Sequence, residues 1–149
     1  MDIFKHLGHI AVRVKDLPAS IAFYEKLGFR EMTRLLDDKG APWIVYLRIN
    51  DDQYLELYPD GTGTWQPTGK NIGIFHICLT VDDLDKAEAD LAKNGVKLSK
   101  PRKPGKGIDH NRGMWIEDLD GNQIEIMEMA PDSIQADAIK RLAGEAGRA

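Results

Sequence analysis

Two histidines and two glutamates are the residues of this chain best suited to chemistry. His9 and His76 each head a short apolar run, HIAVRV and HICLTV, while Glu56 and Glu125 are flanked by aliphatic residues in LEL and IEI. Two imidazoles and two carboxylates make an N2O2 donor set for a divalent metal. A carboxylate amid strand sequence is costly to bury uncompensated, and coordination to a cation offsets that desolvation. Taken singly, His76 reads as a core histidine satisfied by a backbone carbonyl, because one imidazole on an apolar strand specifies nothing. A repeat changes that reading.

HIAVRVKDLPASIAFYEKLGF (9–29) lies over HICLTVDDLDKAEADLAKNGV (76–96) at one constant offset. His9 then pairs with His76, Ile10 with Ile77, Val14 with Val81, Asp16 with Asp83, Leu17 with Leu84 and Gly28 with Gly95. Each copy predicts a strand, an aspartate at the helix N-terminus, an amphipathic helix, and a glycine at the C-terminal cap where φ > 0 is needed. Pro18 suits the first helical turn, where its missing N–H costs nothing. Strand-like sequence follows in both copies, as FREMTRLL (29–36) and VKLSKP (96–101). Each half then closes with a predicted hairpin: WIVYLRINDDQYLELYP (43–59) turns at Asn50-Asp51-Asp52, and GMWIEDLDGNQIEIME (113–128) at Asp120-Gly121. Both halves read βαβββ.

Strand side chains alternate faces, so His9, Ala11 and Arg13 share one face and Ile10, Val12 and Val14 the other; His76, Cys78 and Thr80 likewise oppose Ile77, Leu79 and Val81. In the last strands Tyr54, Glu56 and Tyr58 oppose Leu55 and Leu57, and Gln123, Glu125 and Met127 oppose Ile124 and Ile126. The aliphatic sets are the natural partners of the helices. Both histidines and both glutamates are thereby assigned to the sheet faces away from the helices, and the histidines read as ligands. Glu128 falls on the aliphatic parity and reads as a strand-end charge, and His6 as a surface residue.

The paired modules HIAVRVKDLPASIAFYEKLGF, YLELYP, FHICLTVDDLDKAEADLAKNGV and DLDGNQIEIME resemble the vicinal oxygen chelate superfamily, and within it the short bacterial glyoxalase I branch, over roughly residues 5 to 130. The resemblance implies an α+β fold in which two βαβββ modules, about 5–60 and 72–129, form a half-open mixed β-barrel as one domain. A short C-terminal helix, about 132–146, follows. It implies one divalent ion (Ni2+, Zn2+, Co2+ or Mn2+) on His9, Glu56, His76 and Glu125. The implied chemistry is that of a lyase or isomerase moving a proton through a metal-bound enediolate, with Glu125 as base and Glu56 as second carboxylate; the sequence does not decide which glutamate takes which part. Extradiol dioxygenases and fosfomycin-resistance transferases of the superfamily lack the first-module glutamate, and methylmalonyl-CoA epimerase typically has Gln there, so Glu56 favours the glyoxalase type. A binding protein of the bleomycin-resistance kind stands as the non-catalytic alternative.

For the substrate, Arg13 matches a glutathione-holding position, but Asp60 stands where the family has asparagine, and an aspartate repels a glutathione carboxylate. That sets the glutathione conjugate against a non-glutathione substrate such as a sugar-like compound or an acyl-CoA. Trp65 in PDGTGTWQPTGKN (59–71) is a candidate lid, with packing on its own module as the alternative. In the basic stretch KPRKPGKGIDHNRG (100–113) most members read as a solvated loop, and His110 with Arg112 are the candidates for guiding an anionic substrate.

Bulk properties agree with this setting. The 149 residues suffice for one domain with its own core, and 42% hydrophobic with 30% charged residues is ordinary soluble composition. A net charge of −4 offers no basic field for nucleic acid. Cys78 is the only cysteine, so no intrachain disulfide can form. No leader pattern opens the chain and no run approaches ~20 apolar residues, which predicts a cytoplasmic protein without a membrane partner. In PDSIQADAIKRLAGEAGRA, Ser133 is the expected N-cap of a helix with a stripe of Ile134, Ala138, Ile139 and Leu142. In compact glyoxalases the first module of one chain completes the cup with the second module of another. A homodimer is accordingly expected, although the Gly/Pro/Thr-rich linker is long enough to leave pairing within one chain open.

Overall fold

The computed structural model describes residues 3–4, 6–64 and 72–146, so Trp65 lies outside the described residues. Packing divides the chain into two units: Met1–Gln66 with Asp118–Gly121, and Pro67–Glu117 with Asn122–Ala149.

The first unit holds β1 (His9–Arg13), α1 (Leu17–Lys26), β2 (Arg30–Leu36), β3 (Pro42–Arg48) and β4 (Tyr54–Tyr58). The sheet order is β1-β4-β3-β2, with β1 parallel to β4 and the other pairs antiparallel. Helix α1 begins where the Asp16 carboxylate accepts the Ala19 N–H at 3.0 Å, and the chain leaves it through Gly28 at φ 91°, a left-handed conformation that glycine adopts at no steric cost. Val14, Tyr24, Val45, Leu47 and Leu57 form the buried core. Burying a leucine of this kind contributes roughly 1.5–3 kcal/mol, which holds the helix to the aliphatic face of the sheet. Residues 118–121 join this unit through polar contacts. The Tyr24 hydroxyl donates to Asp118 at 2.7 Å, and the Lys15 N–H donates to Asp120 at 3.2 Å. Burial first, and the Asp118 charge second, push the Tyr24 phenol well above its ordinary pKa.

The second unit holds β5 (Ile77–Thr80), α2 (Leu84–Lys93), β6 (Arg112–Glu117), β7 (Gln123–Glu128) and α3 (Ile134–Ala146), with sheet order β5-β7-β6. Asp83 accepts the Asp85 and Lys86 N–H groups at 2.9 Å, as its twin Asp16 caps α1. The strand-end charge Glu128 has a definite task, accepting the Leu84 N–H at 2.8 Å and so completing the cap of α2.

VKLSKP forms no strand, which corrects the expected βαβββ order of the second half to βαββ. Its backbone gives one bond to β6, from the Ser99 N–H to the Trp115 carbonyl at 2.8 Å; beyond it Pro101 and Pro104 have no N–H to offer a ladder. The loop is fastened by side chains instead. Arg102 reaches Asp85 at 2.7 Å and Glu88 at 2.6 Å, and Arg112 pairs with Asp85 at 2.5 Å and Glu128 at 3.2 Å.

The Ser133 hydroxyl, fully buried, accepts the Ala136 N–H at 3.2 Å and caps α3 as expected, while Ile134, Ile139 and Leu142 of the apolar stripe remain exposed. No helix among the described residues is long and apolar enough to cross a membrane.

Candidate functional site

In the first unit the parallel register sets His9 opposite Tyr54 and Ala11 opposite Glu56. The histidine begins the strand, and the glutamate faces the residue two places on, which puts both on the same side of the sheet. His9 Nε2 lies 3.8 Å from Glu56 Oε2. The imidazole stacks on Tyr54, with centroids 5.1 Å apart and planes 20° from parallel. Glu56 is buried, and its Oε2 accepts a hydrogen bond from the Tyr58 hydroxyl at 3.3 Å. Burial and then the Glu56 charge raise the Tyr58 and Tyr46 phenols above their ordinary pKa, so both remain donors at neutral pH.

The second unit repeats the arrangement. His76 directly precedes β5, and Glu125 faces Cys78, again two places beyond the histidine. His76 Nε2 is 3.2 Å from Glu125 Oε2, and its Nδ1 is buried without a hydrogen-bond partner. The Trp115 ring meets His76 edge-on at 4.9 Å and sits directly across the β6–β7 ladder from Glu125. Lys100 places its ammonium 3.9 Å from the centre of that same indole. Desolvation, then the Glu125 charge, push the Cys78 thiol up to about 11, so the cysteine is a neutral neighbour of the carboxylate at physiological pH.

A cavity of about 470 Å³ opens beside Glu125 within the second unit, lined by the loop from Lys100 to Gly107, by Gly113 and Trp115 of β6 and by Met127 of β7. Three of its cations are spent on carboxylates. Arg112 is held by Asp85 and Glu128, and Arg102 by Asp85 and Glu88; the two arginines hold Asp85 below the usual carboxylate range. Lys106 reaches Asp132 at 3.1 Å.

The structure brings His9 to Glu56 and His76 to Glu125. Among the described residues, no group of three or more His, Cys, Asp or Glu side chains is gathered to hold a metal ion. Arg13 donates to the Pro59 carbonyl at 2.8 Å and lies over the Tyr58 ring, so it ties down the segment leading to Asp60, whose φ is +62°. His110, at φ +71°, donates from Nδ1 to the Asp132 carbonyl at 3.0 Å, an anchor at the start of α3. His6 is exposed. Sequence reasoning missed Trp115, Lys100 and Gly113. The first could have been found by pairing the hairpin outward from Asp120, because Trp115 and Glu125 are equidistant from that turn.

The family model of the Glyoxalase/Bleomycin resistance protein/Dioxygenase superfamily matches residues 6–126. The chain belongs to that superfamily. Relatives within and around it carry different names. The uncharacterized protein YaeR of Escherichia coli is 29% identical over 83% of this chain and 96% of its own length. A lactoylglutathione lyase of Salmonella typhimurium is 28% identical over 80% and 90%. The mitochondrial methylmalonyl-CoA epimerase of Homo sapiens is 28% identical over 66% and 60%. In fold, the chain is similar to a solved glyoxalase family protein from Enterococcus faecalis, with a TM-score of 0.72 at 23% identity over 84% of this chain and 98% of that one. The α+β class with a glyoxalase-like arrangement of elements is therefore that of the superfamily.

Proposed function

We propose that this chain is a metal-dependent enzyme of the glyoxalase I type, in which His9, Glu56, His76 and Glu125 hold one divalent ion and a proton is moved on a small α-hydroxycarbonyl or hemithioacetal substrate. The observation that carries this reading is the repeated register: in each unit a histidine at the head of a strand meets a glutamate set two places further along its parallel neighbour. The donors fit a divalent ion of the nickel, zinc, cobalt or manganese kind. His76 has a buried nitrogen without a partner, and Glu56 is a buried carboxylate that accepts from a phenol at 3.3 Å and lies 3.8 Å from a histidine nitrogen. Bound there, the ion supplies Lewis acidity that makes a C–H beside a carbonyl easier to deprotonate.

Glu125 then takes that proton and returns it to the neighbouring carbon. Its position on the cavity wall gives it access to substrate, whereas Glu56 is enclosed and bonded to Tyr58. Trp115 packs edge-on to His76 and opposite Glu125, which restricts both side chains.

A second reading differs only in substrate. Asp60 places a carboxylate where glutathione would bring its own, and Arg13 is engaged by the Pro59 carbonyl, which supports an epimerase or isomerase acting on a non-glutathione compound. The epimerase relative supports that reading and the lactoylglutathione lyase supports the first; both begin by removing a proton from the carbon beside a carbonyl.

Metal uptake tests the shared core of the two. Chelator-treated protein given Ni2+, Zn2+, Co2+ or Mn2+ takes up one ion for each set of His9, Glu56, His76 and Glu125, and failure to bind any of them overturns the proposal. We place the enzyme in the cytoplasm as a homodimer whose sites each draw on both chains. Mixing inactive His9→Ala and Glu125→Gln chains tests this sharing: one intact site forms in each mixed dimer and activity returns, whereas mixtures that stay inactive exclude it.

A further inference from the structure

Gly113 lies inside β6, where a glycine needs a reason. Glycine in a strand interior gives up side-chain packing and costs roughly 0.5–1 kcal/mol relative to alanine, and it marks a bulge, a tight bend or a close approach by something else. The backbone gives no such cause: Gly113 does not adopt positive φ, and β6 pairs with β7 without a register shift from Arg112↔Glu128 to Glu117↔Gln123. Packing gives none either, since a Cβ built at Gly113 would meet Glu125 Oε1 at 3.4 Å and the Ile126 carbonyl at 3.6 Å, both ordinary contacts. The residues around it are large. Trp115 is next on the same strand face and Met127 is directly across the ladder, so the missing side chain leaves a gap in the cavity wall at the Glu125 carboxylate.

We propose that Gly113 determines the substrate class: its missing side chain forms a slot between Trp115 and Met127 that takes an apolar chain substituent carried on the reacting carbons of an α-hydroxycarbonyl compound. This rests on Glu125 being the base. The slot's sides are an indole and a thioether, which bury methylenes, and its floor is bounded by Glu125 Oε1 and the Ile126 carbonyl, acceptors that donate no hydrogen bond to a carbonyl or carboxylate substituent. Each methylene that enters contributes about fourfold to binding. A valine or leucine at 113 fills the slot from its floor, and because its Cβ would stand 3.4 Å from Glu125 Oε1, metal content is measured on each variant to show that Glu125 keeps its place.

The experiment uses the metal-loaded protein and straight-chain α-hydroxy ketones that begin at hydroxyacetone and lengthen one methylene at a time. Exchange of the carbon-bound proton in D2O is followed by NMR. The wild type gains in kcat/KM with each methylene until the slot is full. Gly113→Val and Gly113→Leu retain exchange on hydroxyacetone and lose about tenfold or more on the longer members. Because valine suits a strand better than glycine, Gly113→Val melts no lower than the wild type; a purely structural glycine would instead give a lower melting temperature and an equal loss on every ketone. An unchanged length profile in a folded, metal-loaded variant overturns the proposal. A wild type that binds metal but exchanges no ketone counts against the proton-transfer reading, and the slot is then read from shifts of the Trp115 indole resonance on titration with the same series. Affinity that rises with length in the wild type and is flat in Gly113→Val supports the slot, and equal profiles overturn it.

Discussion

The two units carry the same histidine and glutamate in the same register, yet they surround them differently. In the first, a fourth strand continues the sheet, Glu56 is buried with a tyrosine hydroxyl on one oxygen, and His9 is stacked on Tyr54. In the second, the stretch that would supply a fourth strand is a Pro/Gly loop, Glu125 is about a quarter exposed, and a cavity opens against it. A duplicated βα unit thus keeps its histidine and glutamate pair, while the carboxylate is enclosed in one copy and accessible in the other. Two glycines differ in the room around them. A Cβ at Gly61 in the first unit would stand 2.9 Å from the Val14 carbonyl carbon, whereas at Gly113 in the second it meets nothing closer than 3.4 Å.

Exchanging the carboxylates is the strongest way to break this comparison. Glu125→Gln is expected to fold and keep most of its metal while turnover falls by about 10²–10⁴-fold, which corresponds to roughly 3–5 kcal/mol on the barrier. Glu56→Gln should mainly weaken metal binding. Parallel measurement of metal content and of proton exchange checks both, and a Glu125→Gln protein with wild-type turnover moves the base to Glu56. Next in size is Gly61→Ala. Its methyl group strikes backbone that cannot rotate away, so thermal or denaturant unfolding should show a loss of about 1–3 kcal/mol. Tyr24→Phe removes the donor from a buried carboxylate in the same unit and should cost about 1–3 kcal/mol by urea unfolding, with proton exchange at Glu125 unaffected.

The smallest effect sharpens the contrast at the loop. Asp85 is held below the usual carboxylate range by Arg112 and then Arg102, so it contributes stability above the ordinary aspartate pKa of about 3.9 and loses it as pH falls through the depressed native value. The melting temperature of Asp85→Asn should therefore lie slightly below that of the wild type at neutral pH and converge with it in acid. A gap of constant size from pH 7 to pH 2 would show that the ion pairs do not fasten the loop.

Much of this molecule was determined by local sequence. The twin caps at Asp16 and Asp83, the glycines at 28 and 95, the two hairpins and the alternation along β1, β4 and β7 all follow from short-range propensity and period, and they were legible before any coordinate. The identity of the histidine and glutamate pairs was legible too, because a repeat brings its own control: the same residue type at the same point of two modules. Tertiary structure decided the rest. VKLSKP carries strand-like residues, but a strand needs a neighbour to accept its ladder, and two prolines with Arg102 anchored on α2 gave the chain a cheaper loop. The basic run from Lys100 to Arg112 likewise could not reveal from composition which cations were spoken for, since Asp85, Glu88, Glu128 and Asp132 lie far from it in sequence or beyond its end. Charge is additive along a chain, but its neutralisation depends on which side chains folding brings within reach.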